Sequence, residues 1–127
     1  MGSQILLDST VLIAGLNESD DHFKDAREIF TENSRASLAI SSISVAEALI
    51  RPYGLGPIQG ERAEAVIQML IGAVIPFERE HALLAAKIRA TMKTGTPDSI
   101  IVATAIINNM KLISFDRKMM SVYERNK

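Results

Sequence analysis

The sequence predicts an α/β fold in three layers, a mostly parallel sheet flanked by helices on both faces. Short β-rich apolar runs alternate with longer stretches of helical periodicity from end to end, the pattern of repeated strand–helix–strand units. The 127 residues match one domain and are enough to bury a real core, so residues 1–127 are expected to form a single unit. Neither an internal repeat nor a block of like charge interrupts them.

Gln4-Ile5-Leu6-Leu7 reads as a buried strand ending at Asp8, followed by a short helix through Val11, Leu12 and Ala14 that stops near Gly15. Asp20 or Asp21 opens an amphipathic helix with Phe23, Ala26, Ile29 and Phe30 on one face. Leu38-Ala39-Ile40 is a second strand, leading into a helix from about Ser44 to Ile50. The breakers in Arg51-Pro52-Tyr53-Gly54-Leu55-Gly56-Pro57 predict a loop. Ala63, Val66, Ile67, Leu70 and Ile71 then recur at helical spacing, and Val74 to Phe77 forms a third strand with Pro76 at an edge or an end. Leu84, Ala85, Ile88 and Met92 mark a helix closed by Gly95. Thr96 as N-cap and Pro97 at the first helical position open the next. Lys111 to Phe115 is a fourth strand, and the tail from Arg117 is helical.

Composition excludes several classes. With 47% hydrophobic and 23% charged residues the chain is not a disordered tail. The absence of cysteine removes disulfides and thiolate zinc sites. The longest apolar stretch, Ile100 to Ile107, falls far short of the ~20 residues of a spanning helix. The start lacks the basic region of a signal peptide. A cytoplasmic protein without membrane contact is expected. Fourteen basic residues against fifteen acidic ones argue against a protein that merely coats nucleic acid.

Four carboxylates hold related places in this scheme. Asp8 follows the first strand, Asp116 follows the fourth, Glu47 lies in the helix after the second, and Asp98 opens the helix before the fourth. Strand C-termini of a parallel sheet share one edge, where ligands bind, so Asp8, Glu47 and Asp116 belong together. Asp98 joins them if the preceding helix returns the chain to that edge. Each residue also has a plain structural reading: Asp8 and Asp116 as helix caps, Asp98 as a first-turn acid favoured by the helix dipole, and Glu47 as the far end of a Ser44–Glu47 capping box. The set says more than its members. Neighbouring carboxylates repel, and a fold gathers them around something positive. Oxygen-only ligands select hard cations, Mg²⁺ or Mn²⁺, which activate water and stabilise charge at phosphorus.

Four segments resemble the PIN-domain ribonucleases, and among them the VapC-type toxins of toxin–antitoxin pairs. They are Ile5-Leu6-Leu7-Asp8-Ser9-Thr10-Val11-Leu12-Ile13-Ala14, Ser42-Ile43-Ser44-Val45-Ala46-Glu47-Ala48-Leu49, Thr96-Pro97-Asp98-Ser99-Ile100-Ile101-Val102-Ala103-Thr104-Ala105, and Leu112-Ile113-Ser114-Phe115-Asp116-Arg117. Each is weak alone; in this order they span nearly the whole chain. The resemblance implies a PIN-like fold and a Mg²⁺- or Mn²⁺-dependent ribonuclease whose catalytic and metal-binding acids are Asp8, Glu47, Asp98 and Asp116, with Thr10 and Ser114 in support. It implies an RNA substrate, an antitoxin protein that occupies the acidic crevice, and a homodimer. Many relatives add a strand after the segment matching Asp116-Arg117-Lys118-Met119. Here only Met120 to Lys127 remain, so the expected sheet has four or five strands.

Two other classes compete. A PIN-like RNA-binding or scaffold module without turnover is opposed by the presence of all four acids. A phosphoacceptor domain needs an aspartate after a central third strand, where this chain has Glu78, or a second aspartate two residues past Asp8, where it has Thr10. A P-loop is absent. His22 and His81 read as surface or helix-face residues, Arg51 and Arg117 as solvated or phosphate-contacting. Lys87, Arg89 and Lys93 read as a wet helix face, and Met69, Met92, Met119 and Met120 as gap fillers or interface residues. The helix from Gly60 to Gly72 could serve either protein partner.

Overall fold

β1 (Ile5–Leu7) is the centre of the fold, because it has an apolar neighbour strand on each side and a core on each face. The computed structural model describes residues 4–127. Chain order continues with α1 (Ser9–Leu16), α2 (Phe23–Glu32), a single 3₁₀ turn at Arg35–Ser37, β2 (Leu38–Ser41), α3 (Ser42–Leu55), α4 (Pro57–Leu70), β3 (Ala73–Ile75), α5 (Arg79–Thr91), α6 (Thr96–Ile107), β4 (Lys111–Ile113) and α7 (Arg117–Asn126). The sheet order is β3-β2-β1-β4, every pair parallel. Among the described residues the sheet has four strands, and the tail after Asp116 is α7 rather than a fifth.

Alternate residues of a strand face opposite sides, and register carries that alternation across the sheet. Leu6 aligns with Ala39 on β2 and Leu112 on β4, and all three face one core, with Ile88 of α5, Ile101 and Val102 of α6 and Val122 of α7. Leu7 aligns with Ile40 and faces the other, with Val11 and Leu12 of α1, Ala26 of α2, Leu49 of α3 and Ile67 of α4. Both leucines are fully buried. The layers are therefore α5–α6–α7, the sheet, and α1–α4. None of the helices among the described residues is long and apolar enough to cross a membrane.

Several local expectations need correction. The segment 51–55 is not a loop: α3 continues through Pro52 to Leu55, and the chain turns only at Gly56, whose φ of 147° is a conformation that suits glycine. Pro57 then starts α4, consistent with proline's fit to a first helical turn. The continuation is supported from outside α3, since the Tyr53 ring lies so close over Gly60 that a Cβ there would collide with it. α3 starts at Ser42, with the Ser41 hydroxyl accepting from the Ile43 N–H at 3.2 Å, so the Ser44–Glu47 capping box does not form. The N-cap of α6 is Gly95, which makes Thr96 its first residue. α2 begins at Phe23, after a turn in which the Asp20 carboxylate accepts from the His22 N–H. His81 is buried and serves α5, its Nδ1 accepting from the Glu78 N–H at 3.1 Å. Arg89 is not simply solvated: its Nε donates to the Thr94 carbonyl at 3.0 Å and its Nη1 to the Thr96 hydroxyl at 2.8 Å.

Candidate active site

From β1 the chain moves to β2 on one side, and later returns to place β4 on the other side of β1. Strand order reverses there, and helices leave β1 and β4 in diverging directions, opening a crevice beyond the strand C-termini. Asp8 is the first residue past β1, and its N–H donates to the Ile113 carbonyl of β4 at 2.9 Å.

The Asp8 side chain is held from both flanking segments. Its Oδ2 accepts from the Thr10 hydroxyl at 2.7 Å, the Ser114 hydroxyl at 2.8 Å and the Thr10 N–H at 3.3 Å. Among the described residues these bonds all fall on Oδ2, leaving Oδ1 outside the network. Ser114 also accepts from the Asp116 N–H at 2.9 Å, and Thr10 from the Phe115 N–H at 3.2 Å. Two small hydroxyls thus lock the end of β1 to the loop after β4. Asp116 caps α7, its Oδ1 accepting from the Lys118 and Met119 N–H groups at 2.9 and 3.2 Å. The capping reading of Asp8 and Asp116 is therefore true, and it also fixes where their charges sit.

Glu47 is oriented by a residue that sequence reasoning missed. The Ser9 hydroxyl lies 2.6 Å from Glu47 Oε1 and 2.9 Å from the Ser44 hydroxyl. Ser9 and Ser44 are buried. With Ser44 donating to Ser9 and Ser9 to the carboxylate, a short relay joins the first turn of α1 to α3. The sequence signal for it is the pair of hydroxyl residues directly after Asp8, Ser9 as well as Thr10. Asp98 stands third in α6, half-buried, in a corner that Arg89 ties to α5.

Electrostatics joins the four acids. Asp98 has its pKa raised, first by burial and then by the negative charges of Asp8, Asp116 and Glu47; Lys118 opposes this. Lys118, two residues past Asp116, is a second group not anticipated. Neither of the ion pairs among the described residues involves any of the four acids. No three His, Cys, Asp or Glu side chains among the described residues converge tightly enough to make a ready metal cage. Asp98 thus lies in the fields of the other three carboxylates, and the described residues form no closed ligand set. An all-oxygen donor set of this openness fits Mg²⁺, which keeps several waters and takes one or two carboxylates directly. Arg51 and Arg117 are exposed, and Arg51 lines a groove between helices rather than the crevice.

The PIN domain family model matches residues 5–125. The chain belongs to the PIN domain family. Solved structures share this PIN fold at low identity. VapC20 of Mycobacterium tuberculosis, described as a sarcin-ricin loop cleaving toxin, superposes with a TM-score of 0.78 at 14% identity, over 93% of this chain and 94% of that one. FitAcB of Neisseria gonorrhoeae gives 0.77 at 20%, over 95% and 94%. A toxin–antitoxin complex of Klebsiella pneumoniae gives 0.76 at 23%, over 93% and 91%. No curated protein matches this PIN domain in sequence.

Proposed function

We propose that this PIN domain is a Mg²⁺- or Mn²⁺-dependent ribonuclease, the toxin of a toxin–antitoxin pair. One observation carries the reading. Asp98 lies in the fields of Asp8, Asp116 and Glu47, carboxylates of three other segments, and none of the four acids is in an ion pair among the described residues. Such a cluster is repulsive on its own, and a divalent cation relieves it. Asp8 and Asp98 are the principal ligands, with Glu47 and Asp116 completing the set. A bound Mg²⁺ supplies positive charge to the phosphate oxygens and makes water more acidic. The protein does the positioning: Thr10 and Ser114 fix Asp8, and the Ser44–Ser9 relay aims Glu47. A carboxylate so aimed would orient the attacking water and take its proton as the water oxygen bonds to phosphorus and the P–O3′ bond breaks; the leaving 3′ oxygen would take a proton from solvent, giving a 5′-phosphate and a 3′-hydroxyl.

VapC20 is described as cleaving the sarcin-ricin loop, and other relatives are toxin–antitoxin complexes, VapBC of Salmonella typhimurium being bound to DNA. These support RNA as substrate and an antitoxin as partner. Besides the acidic crevice, a groove of about 440 Å³ between α1, α3 and α4 offers the antitoxin an apolar floor, including Ile13, Leu55 and Val66, rimmed by Arg27 of α2 and by Arg51 and Arg62. A peptide with apolar and acidic residues in alternation suits it. A second copy of the chain is the further partner of this reading, and Val74, Phe77 and Leu83 are half-exposed apolar residues available for it.

The test is degradation of single-stranded RNA with Mn²⁺, with EDTA, and by the Asp98→Asn variant. Cleavage is expected only for wild type with metal, and losing one ligand lowers the rate at least about 100-fold. The absence of a tight three-acid cage among the described residues favours a second reading, an RNA-binding module without turnover. That reading predicts RNA binding with no products under any metal.

A further inference from the structure

We propose that His22 and Phe115 form a stacking subsite for one nucleobase of the RNA strand, beside the acidic crevice; this rests on the RNA-directed reading above. The two rings are stacked, with centroids 4.6 Å apart and planes 18° from parallel. Phe115 stands between Ser114 and Asp116, and its N–H donates to the Thr10 hydroxyl that also bonds Asp8. Its position is therefore fixed by the same hydroxyl network that fixes the acids. The Phe115 ring is partly buried against the core under α1 and α2.

His22 is held in the turn before α2. Its backbone N–H donates to Asp20 at 2.9 Å, and its Nδ1 lies 3.5 Å from Asp25 Oδ2. The side chain is nevertheless 52% exposed. One face of the imidazole stacks on Phe115, and about half of the side chain stays open to solvent. An unstacked base of single-stranded RNA recognises a surface of this kind, because every base has a flat face and stacks on histidine or phenylalanine. The subsite gives an acidic crevice something it lacks: an attachment for the substrate that is indifferent to phosphate charge. A simple lid role for His22, shielding Phe115 from water, predicts no dependence on the bases of the RNA.

The experiment compares three probes of equal length and charge by fluorescence anisotropy: oligo(A), oligo(U) and an abasic oligoribonucleotide. Wild type should bind oligo(A) most tightly, since purines stack best, and the abasic probe least. His22→Ala should weaken oligo(A) about tenfold and leave the abasic probe unchanged, while His22→Phe restores oligo(A). Melting curves of both variants identify any loss through unfolding. If wild type and His22→Ala bind oligo(A) equally, or wild type binds none of the probes, the subsite is overturned. If binding depends on His22 but no RNA is cut with Mn²⁺, the subsite stands and the nuclease reading falls.

Discussion

Asp98 is where the cost of gathering four carboxylates is concentrated. Its pKa is raised by burial and by Asp8, Asp116 and Glu47, so the folded chain holds its proton more tightly than the unfolded one. The sign of the linkage follows: stability falls as pH rises from near the ordinary aspartate value of 3.8 through the raised folded value. In EDTA the wild-type melting temperature should therefore decline between pH 4 and neutrality more than that of Asp98→Asn. The variant should be the more stable of the two at pH 7.5, with the gap closing at pH 4. Equal pH profiles from thermal melts would show that Asp98 does not feel the other acids. The residues around it were unevenly legible. Asp8, Asp98 and Asp116 stand out because each follows a strand or opens a helix, and Glu47 because it lies in the helix after β2. The bond from Ser9 to Glu47 joins residues 38 positions apart, and no local pattern announces such a partner. His81 looked like a helix-face residue for the same reason: its burial comes from a helix N-terminus folding back on it.

At the scale of elements, sequence patterns located every strand and helix, because alternation and 3.6-residue spacing are set by burial on one face or both. They failed at the α3–α4 junction, where Pro52, Gly54, Gly56 and Pro57 all count as breakers and only Gly56 breaks. Proline costs a helix an N–H and some steric room, but contacts such as Tyr53 on Gly60, together with Leu49 and Ile67 in a shared core, outweigh that cost. They failed again at α6, where Thr96 is a good cap by residue type yet Gly95 occupies the position and the Thr96 hydroxyl serves Arg89 instead. Since the turn depends on Gly56 at φ 147°, Gly56→Ala should destabilise the fold by about 1–3 kcal/mol, read as a lower urea midpoint with unchanged slope. A neutral result would mean that the turn relaxes into an ordinary conformation.

For the whole molecule, the decisive arrangement is the strand order β3-β2-β1-β4, which puts the first and last strands side by side. The three-layer class was legible from alternation alone. The order of the strands was not, because no residue in the sequence states which strand will sit beside β1. A cation bound at the crevice would tie these distant segments together and act on the entire fold. Mg²⁺ at 100 times its dissociation constant should stabilise the chain by about 2.7 kcal/mol, seen as a rise in melting temperature that Asp98→Asn abolishes. If Mg²⁺ and Mn²⁺ leave the wild-type melt unmoved, the metal assignment is wrong.

The bond from Ser114 to Asp8 closes a loop of 106 positions, and it has a bearing on how the chain is made. A nascent polypeptide that has emerged only as far as α6 already carries Asp8, Glu47 and Asp98, yet β4 has not arrived to fasten β1 or to bring the fourth acid. The crevice described above is therefore complete only once the segment from β4 to Asp116 has joined the three acids made before it.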